Sequence, residues 1–94
     1  MREREIEANF VRKIKAAGGW SVKFVSPGCA GMPDRLVLLP DGRLFFAELK
    51  APGEKPRPLQ MRRHEQLRRL GFRVYVIDNL EKAREVIEHE LHTT

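Results

Sequence analysis

Residues 33–50 read Pro33-Asp34-Arg35-Leu36-Val37-Leu38-Leu39-Pro40-Asp41-Gly42-Arg43-Leu44-Phe45-Phe46-Ala47-Glu48-Leu49-Lys50. Two apolar runs, Arg35–Leu39 and Arg43–Lys50, flank Pro40-Asp41-Gly42, a strong turn signal between strands. Both runs are apolar on both faces over much of their length, as expected of strands in a sheet covered on two sides. Pairing Leu39 with Arg43 across the turn and stepping outward residue by residue sets Asp34 opposite Glu48, provided no bulge intervenes. Glu48 and Lys50 are two apart on one strand, so their side chains leave on the same face.

The other elements follow by pattern. Glu3–Ala17, stopped by Gly18-Gly19, is an amphipathic helix with Ile6, Phe10, Val11, Ile14 and Ala17 on one arc. Glu3 and Glu7 fall inside that arc, where a carboxylate needs a partner. Trp20–Val25 alternates as a strand, with Lys23 on the face of Ser21 and Val25. Ser26–Pro33 is a loop. The prolines at 52, 56 and 58 and Gly53 make 51–58 a stiff connection. Leu59–Leu70 is a second helix ended by Gly71, and Phe72–Ile77 a fourth strand. Asp78 with Glu81 suggests a capping box for a third helix carrying Leu80, Ala83, Ile87 and Leu91 on one side. The expected fold is α/β, a mixed four-stranded sheet flanked by helices, in the order α-β-β-β-α-β-α.

Composition narrows the function. The 94 residues carry 18 Lys and Arg against 13 Asp and Glu, a net charge of +5, and one cysteine. One domain over 1–94 is expected, without a disulfide framework or a cysteine-based zinc site. No apolar run approaches the roughly 20 residues of a membrane span. The charged start, Met1-Arg2-Glu3-Arg4-Glu5, has no signal-peptide core, so the chain reads as intracellular, in the cytoplasm. The basic balance makes a polyanionic partner plausible. Cys29 has no neighbouring base, and Trp20 and Tyr75 read as packing residues.

Facing carboxylates repel unless something positive lies between them, and hard cations such as Mg²⁺ or Mn²⁺ take oxygen ligands. Glu7 is placed to add a third carboxylate if its helix packs on that face, with Glu3 as its competitor one turn earlier. Lys50 would bring an ammonium to the same centre, to orient water or stabilise charge on a phosphate. Gln60, in the first turn of the second helix, would hold a water or phosphate oxygen. Lys55, Arg57, Arg62, Arg63, Arg68 and Arg69 form the best surface for the phosphates of a polyanionic partner, joined by Lys23 and Ser26 near the loop. His64 flanks the inner arc of the second helix, within reach of such a partner.

Gly31-x-Pro33-Asp34, then Glu48-x-Lys50 closing a strand, then Gln60 on a helix, resembles the PD-(D/E)xK nucleases. Lys23-Phe24-Val25-Ser26-Pro27-Gly28 and Glu48-Leu49-Lys50-Ala51-Pro52 narrow the resemblance to the VRR-NUC family of virus-type replication-repair nucleases. It covers Glu7 to Ile77 in the right element order. It implies a restriction-endonuclease-like core and phosphodiester hydrolysis with Mg²⁺ or Mn²⁺ and no organic cofactor. The metal ligands would be Asp34, Glu48, the Leu49 backbone carbonyl and, directly or through water, Glu7. Lys50 would be the catalytic lysine and Gln60 the family glutamine. By the same resemblance, a minimal domain acts as a homodimer on branched DNA such as four-way (Holliday) junctions, in a phage or prophage setting. A flap nuclease or nickase of the same fold, or a catalytically silent DNA-binding module, are the alternatives.

Overall fold

The computed structural model describes residues 1–92. The decisive hairpin forms as its pattern requires: β2 (Arg35–Leu38) and β3 (Leu44–Leu49) pair antiparallel, Arg35 opposite Ala47 and Leu38 opposite Leu44. A short 3₁₀ turn, Pro40–Gly42, joins them, with Asp41 and Gly42 both at positive φ. β1 (Trp20–Lys23) pairs antiparallel with the outer side of β2, and β4 (Val74–Ile77) runs parallel to β3. The sheet order is β1-β2-β3-β4. α1 (Glu3–Ala16), α2 (Pro58–Arg69) and α3 (Leu80–His92) complete the expected α-β-β-β-α-β-α order.

The side-chain alternation of β3 divides the molecule into layers. Phe45, Ala47 and Leu49 point to one face, where they join Val37, Ile77 and the apolar stripes of α1 (Ile6, Phe10, Ile14) and α3 (Ala83, Val86, Ile87). Phe10 and Phe45 meet edge to face at 6.4 Å within this core. Phe46 and Glu48 point to the other face, over whose β4 side α2 lies. Phe46 meets Phe24 and Phe72 edge to face there.

Three local features differ from the sequence reading. Trp20 is 66% exposed and not a packing residue. It sits on the edge strand, on the face that α2 covers only toward β4. Asn79 caps α3, its Oδ1 accepting the Lys82 N–H at 2.7 Å, while Asp78 accepts the Gly53 N–H and ties down the 51–58 connection. Glu90, not Leu91, completes the buried side of α3, where Arg43, Arg73 and Tyr75 reach it. Among the described residues, no helix is long and apolar enough to cross a membrane.

Candidate active site

Asp34 is delivered by a loop whose path leaves little freedom. Gly31 adopts φ +86°, and a Cβ there would press to within about 3 Å of Leu59 and Arg63 on α2. Buried Pro33 fixes the approach to β2. The Asp34 carbonyl then accepts the Phe24 N–H at 2.7 Å, which carries the β1–β2 ladder one step further. Its carboxylate Oδ2 accepts the Leu49 N–H at 3.2 Å, beyond the last β2–β3 pair. The register sets Asp34 opposite Glu48, as the hairpin arithmetic requires.

Glu48 is only 1% exposed. Its Oε2 accepts the Gln60 Nε2–H at 3.1 Å, with Lys50 Nζ 3.7 Å away. Its Oε1 is buried and has no hydrogen-bond partner. Burial, followed by the charge and hydrogen bonding of Glu48, pushes the Asp34 carboxyl up to about 6, against the opposing Leu49 N–H. The negative charge of Glu3 adds to the rise. Two carboxyls in this arrangement resist joint ionisation, which is the electrostatic condition for binding a cation or a shared proton.

Gln60 has a different role from the one read in sequence. Its Oε1 accepts the Arg57 N–H at 2.8 Å at the start of α2, which leaves Nε2 to reach Glu48. Both ends of the amide are therefore engaged within the protein, and Gln60 orients Glu48 instead of reaching outward. His64, one turn further along α2, is also buried, at 1% exposure, and is not at a DNA-facing surface. Its Nε2 lies 3.7 Å from Glu48 Oε1. Sequence reading missed this contact, although the four-residue spacing from Gln60 places both side chains on one helix face.

Glu7 does not come from the face expected. α1 packs on the face of Ala47 and Leu49, opposite that of Glu48, because its apolar stripe is buried against those residues. Glu7 Oε2 instead accepts from Arg35 Nε at 3.0 Å, an ion pair that answers its need for a partner. Glu7, Glu3, Lys23, Ser26 and Asp34 nevertheless line one cleft of about 380 Å³. Glu48 and Lys50 do not line this opening. Glu3 stands exposed at its mouth.

The basic residues divide. Lys55, Arg57 and Arg62 are exposed around the start of α2. Arg63 is committed to the fold, its Nε donating to the Ala30 carbonyl at 3.0 Å and its Nη1 to Gln66 at 2.8 Å. Arg68 likewise donates to the Val74 carbonyl, and Arg69 pairs with Glu65.

No family model matches the chain. It is 52% identical over 79 residues to "Putative nuclease p44" of Acyrthosiphon pisum secondary endosymbiont phage 1, an alignment spanning 84% of this chain and 85% of that protein. A solved structure described as "VRR_NUC domain" superposes with a TM-score of 0.87 at 35% identity, over 93% of this chain and 95% of the other. The chain belongs to the VRR-NUC nuclease family. The mixed sheet and element order are those of the VRR-NUC neighbour, as the sequence motifs implied.

The donor chemistry of this VRR-NUC site fits a hard divalent cation. Asp34 and Glu48 offer carboxylate oxygens, one of them buried without a partner, and a positive ion would relieve the repulsion that raises Asp34. Among the described residues, no three His, Cys, Asp or Glu side chains gather as a ligand group. A cation here would rest on the two carboxylates, the Leu49 carbonyl and water.

Proposed function

We propose that this VRR-NUC chain is a metal-dependent, structure-selective DNA endonuclease that hydrolyses phosphodiester bonds in branched DNA, four-way junctions foremost, as a homodimer. The observation carrying this reading is the placement of Asp34 opposite Glu48, with Lys50 3.7 Å from Glu48 and one Glu48 oxygen left unpaired. A buried carboxylate held beside another carboxyl, with no arginine against it, carries the electrostatic mark of a functional site.

Asp34, Glu48 and the Leu49 carbonyl would hold Mg²⁺ or Mn²⁺. When bound, such an ion polarises the phosphate and makes water nucleophilic at neutral pH. The chain's own residues supply orientation and charge. Gln60 fixes the Glu48 carboxylate through a single geometry, since its other end is fastened to the α2 start. Lys50 presents an ammonium that stabilises negative charge on the reacting phosphate or positions the nucleophile. Glu3 and Glu7 border the cleft, with Glu7 already neutralised by Arg35. Lys23 and Ser26 on the cleft wall, with Lys55, Arg57 and Arg62 beyond it, would meet the DNA backbone without reading bases. Two copies about a two-fold axis would cut opposing strands of a junction symmetrically. The phage origin of the nuclease relative supports a phage or prophage setting for this activity.

The test is cleavage of end-labelled four-way junction, flap and linear duplex DNA by wild type and Glu48→Ala, with Mg²⁺, Mn²⁺ or EDTA. Paired junction cuts, lost with EDTA and in the variant, are expected. Flap-only cutting would keep the active site and remove the junction assignment. Binding without cleavage in every metal would make the chain a binding module. Sedimentation equilibrium checks the homodimer.

A further inference from the structure

Glu48 is gripped from α2 at one oxygen and faced by α2 at the other. Gln60 and His64 are one turn apart, and both are buried. Gln60 Nε2 donates to Glu48 Oε2 at 3.1 Å. His64 Nε2 stands 3.7 Å from Glu48 Oε1, and neither of these two buried atoms has a hydrogen-bond partner. A separation of 3.7 Å is beyond a hydrogen bond. These two atoms nevertheless lie against each other, and burial penalises each for lacking a partner.

We infer that His64 is a positioning residue for the nuclease site, donating an Nε2–H to Glu48 Oε1. A carboxylate held at one oxygen still turns about its terminal bond. Held at both by successive turns of one helix, it presents its remaining lone pairs in one direction, toward Asp34. Pro58 and the Arg57–Gln60 bond fix where α2 begins, so the helix acts as a rigid two-point clamp. The chemistry is that of a second layer of donors around a metal-binding carboxylate, which sets the orientation of the ligand. The inference rests on the endonuclease reading for its catalytic consequence, but its structural content can be read without DNA or metal.

The first measurement is therefore on the metal-free wild-type protein. Long-range ¹H–¹⁵N correlation spectra report which ring nitrogen of His64 carries a proton. A protonated Nε2 whose resonance shifts in Glu48→Gln is expected, and a bare Nε2 overturns the contact. The second measurement compares His64→Leu with His64→Gln, whose amide nitrogen reaches about as far as the imidazole Nε2. His64→Leu is expected to lower kcat for junction cleavage about 10–100-fold, with KM for DNA nearly unchanged, and His64→Gln to recover most of the loss. Wild-type kcat in His64→Leu overturns the proposal, as does a folded His64→Gln that is as slow as His64→Leu. If His64→Leu fails to fold, the nitrogen spectra and His64→Gln decide. A wild-type protein that cleaves nothing in either metal defeats the endonuclease reading, while the spectra still decide the His64–Glu48 contact.

Discussion

Glu48 and Glu90 are equally buried, each 1% exposed, yet their surroundings are opposite. Glu90 receives Arg73 through Nε at 2.6 Å and Nη2 at 2.9 Å, with Arg43 and the Tyr75 hydroxyl also in contact. Burial alone would raise its pKa. The hydrogen bonds from Arg73 and Tyr75 and the charges of Arg73 and Arg43 outweigh that and leave it lowered. Burial and the Glu90 contact push Tyr75 up to about 12, so it remains a hydrogen-bond donor. Glu48 has no arginine. It has one amide, Lys50 and His64 each at 3.7 Å, an oxygen without a hydrogen bond and a facing carboxyl. The first carboxylate is arranged to hold α3 on the sheet. The second is arranged to need something more, which is the physical mark of a working site.

The largest way to break this comparison is to remove each carboxylate in turn. Glu48→Gln, close in shape, is expected to lower cleavage by on the order of 10³-fold, from lost charge at the proposed metal site, while the melting temperature stays near wild type. Glu90→Ala should do the reverse, costing about 3 kcal/mol of stability with turnover per folded molecule retained. The cost falls at the low end for a broken buried pair because Arg43 and Arg73, 30% and 41% exposed, can rehydrate. Denaturant melts beside single-turnover cleavage rates check both. Equal losses of activity in the two variants would erase the distinction.

Gln60→Ala comes next, with an expected loss of about 10–100-fold in activity or metal affinity. Part of the effect should appear as stability, because the same amide closes the start of α2 on Arg57. Gln60→Glu keeps an acceptor for the Arg57 N–H but sets another carboxyl against Glu48, so its activity loss should be at least as large and its stability loss should grow as pH rises.

Asp34 sharpens the comparison through pH. Its carboxyl is raised from 3.8 to about 6 in the folded protein, so folding favours its protonated form. The stabilisation is present in full below pH 3.8 and is lost as pH rises through about 6. Metal-free protein should therefore melt at falling temperature across that window, on this account alone. Asp34→Asn should flatten the slope, melt above wild type at pH 7, and be inactive. Divalent-metal affinity should climb over the same range as the proton is displaced. Calorimetric melts from pH 4 to 7, with and without Mg²⁺, measure both trends.

Much of this was legible in the sequence because the hairpin is regular. A clean turn at Pro40-Asp41-Gly42 and unbroken alternation fix the register, and the register alone puts Asp34 opposite Glu48. What strand periodicity could not supply was which helix covers which face. Glu7 was assigned to the face of Glu48, but the apolar stripe of α1 fits the odd-numbered residues of β3, and Arg35 takes up its charge. Partners of buried polar groups were hidden for a related reason. Arg35, His64 and Arg73 look like ordinary polar residues until the helices are docked, and a helical wheel records direction but not what lies opposite.

Arginines and lysines divide as the two glutamates do, which gives the smallest of the expected effects. Arg63 joins α2 to the Ala30 loop, and Arg68 and Arg73 donate to backbone carbonyls of the sheet. Lys55 and Arg62 are exposed near the start of α2, and so are open to a phosphate. Replacing Lys55 or Arg62 by Ala should leave the melting temperature and kcat unchanged and weaken junction binding modestly. Each should also reduce the slope of log affinity against log salt by about 1, the signature of one lost phosphate contact. Arg63→Ala should instead loosen the loop that delivers Asp34, lowering kcat with little change in that slope. Fluorescence anisotropy over a salt series, paired with cleavage rates, distinguishes them. A full unit of slope lost in Arg63→Ala but none in Lys55→Ala or Arg62→Ala would move the DNA path to the Arg63 side of α2.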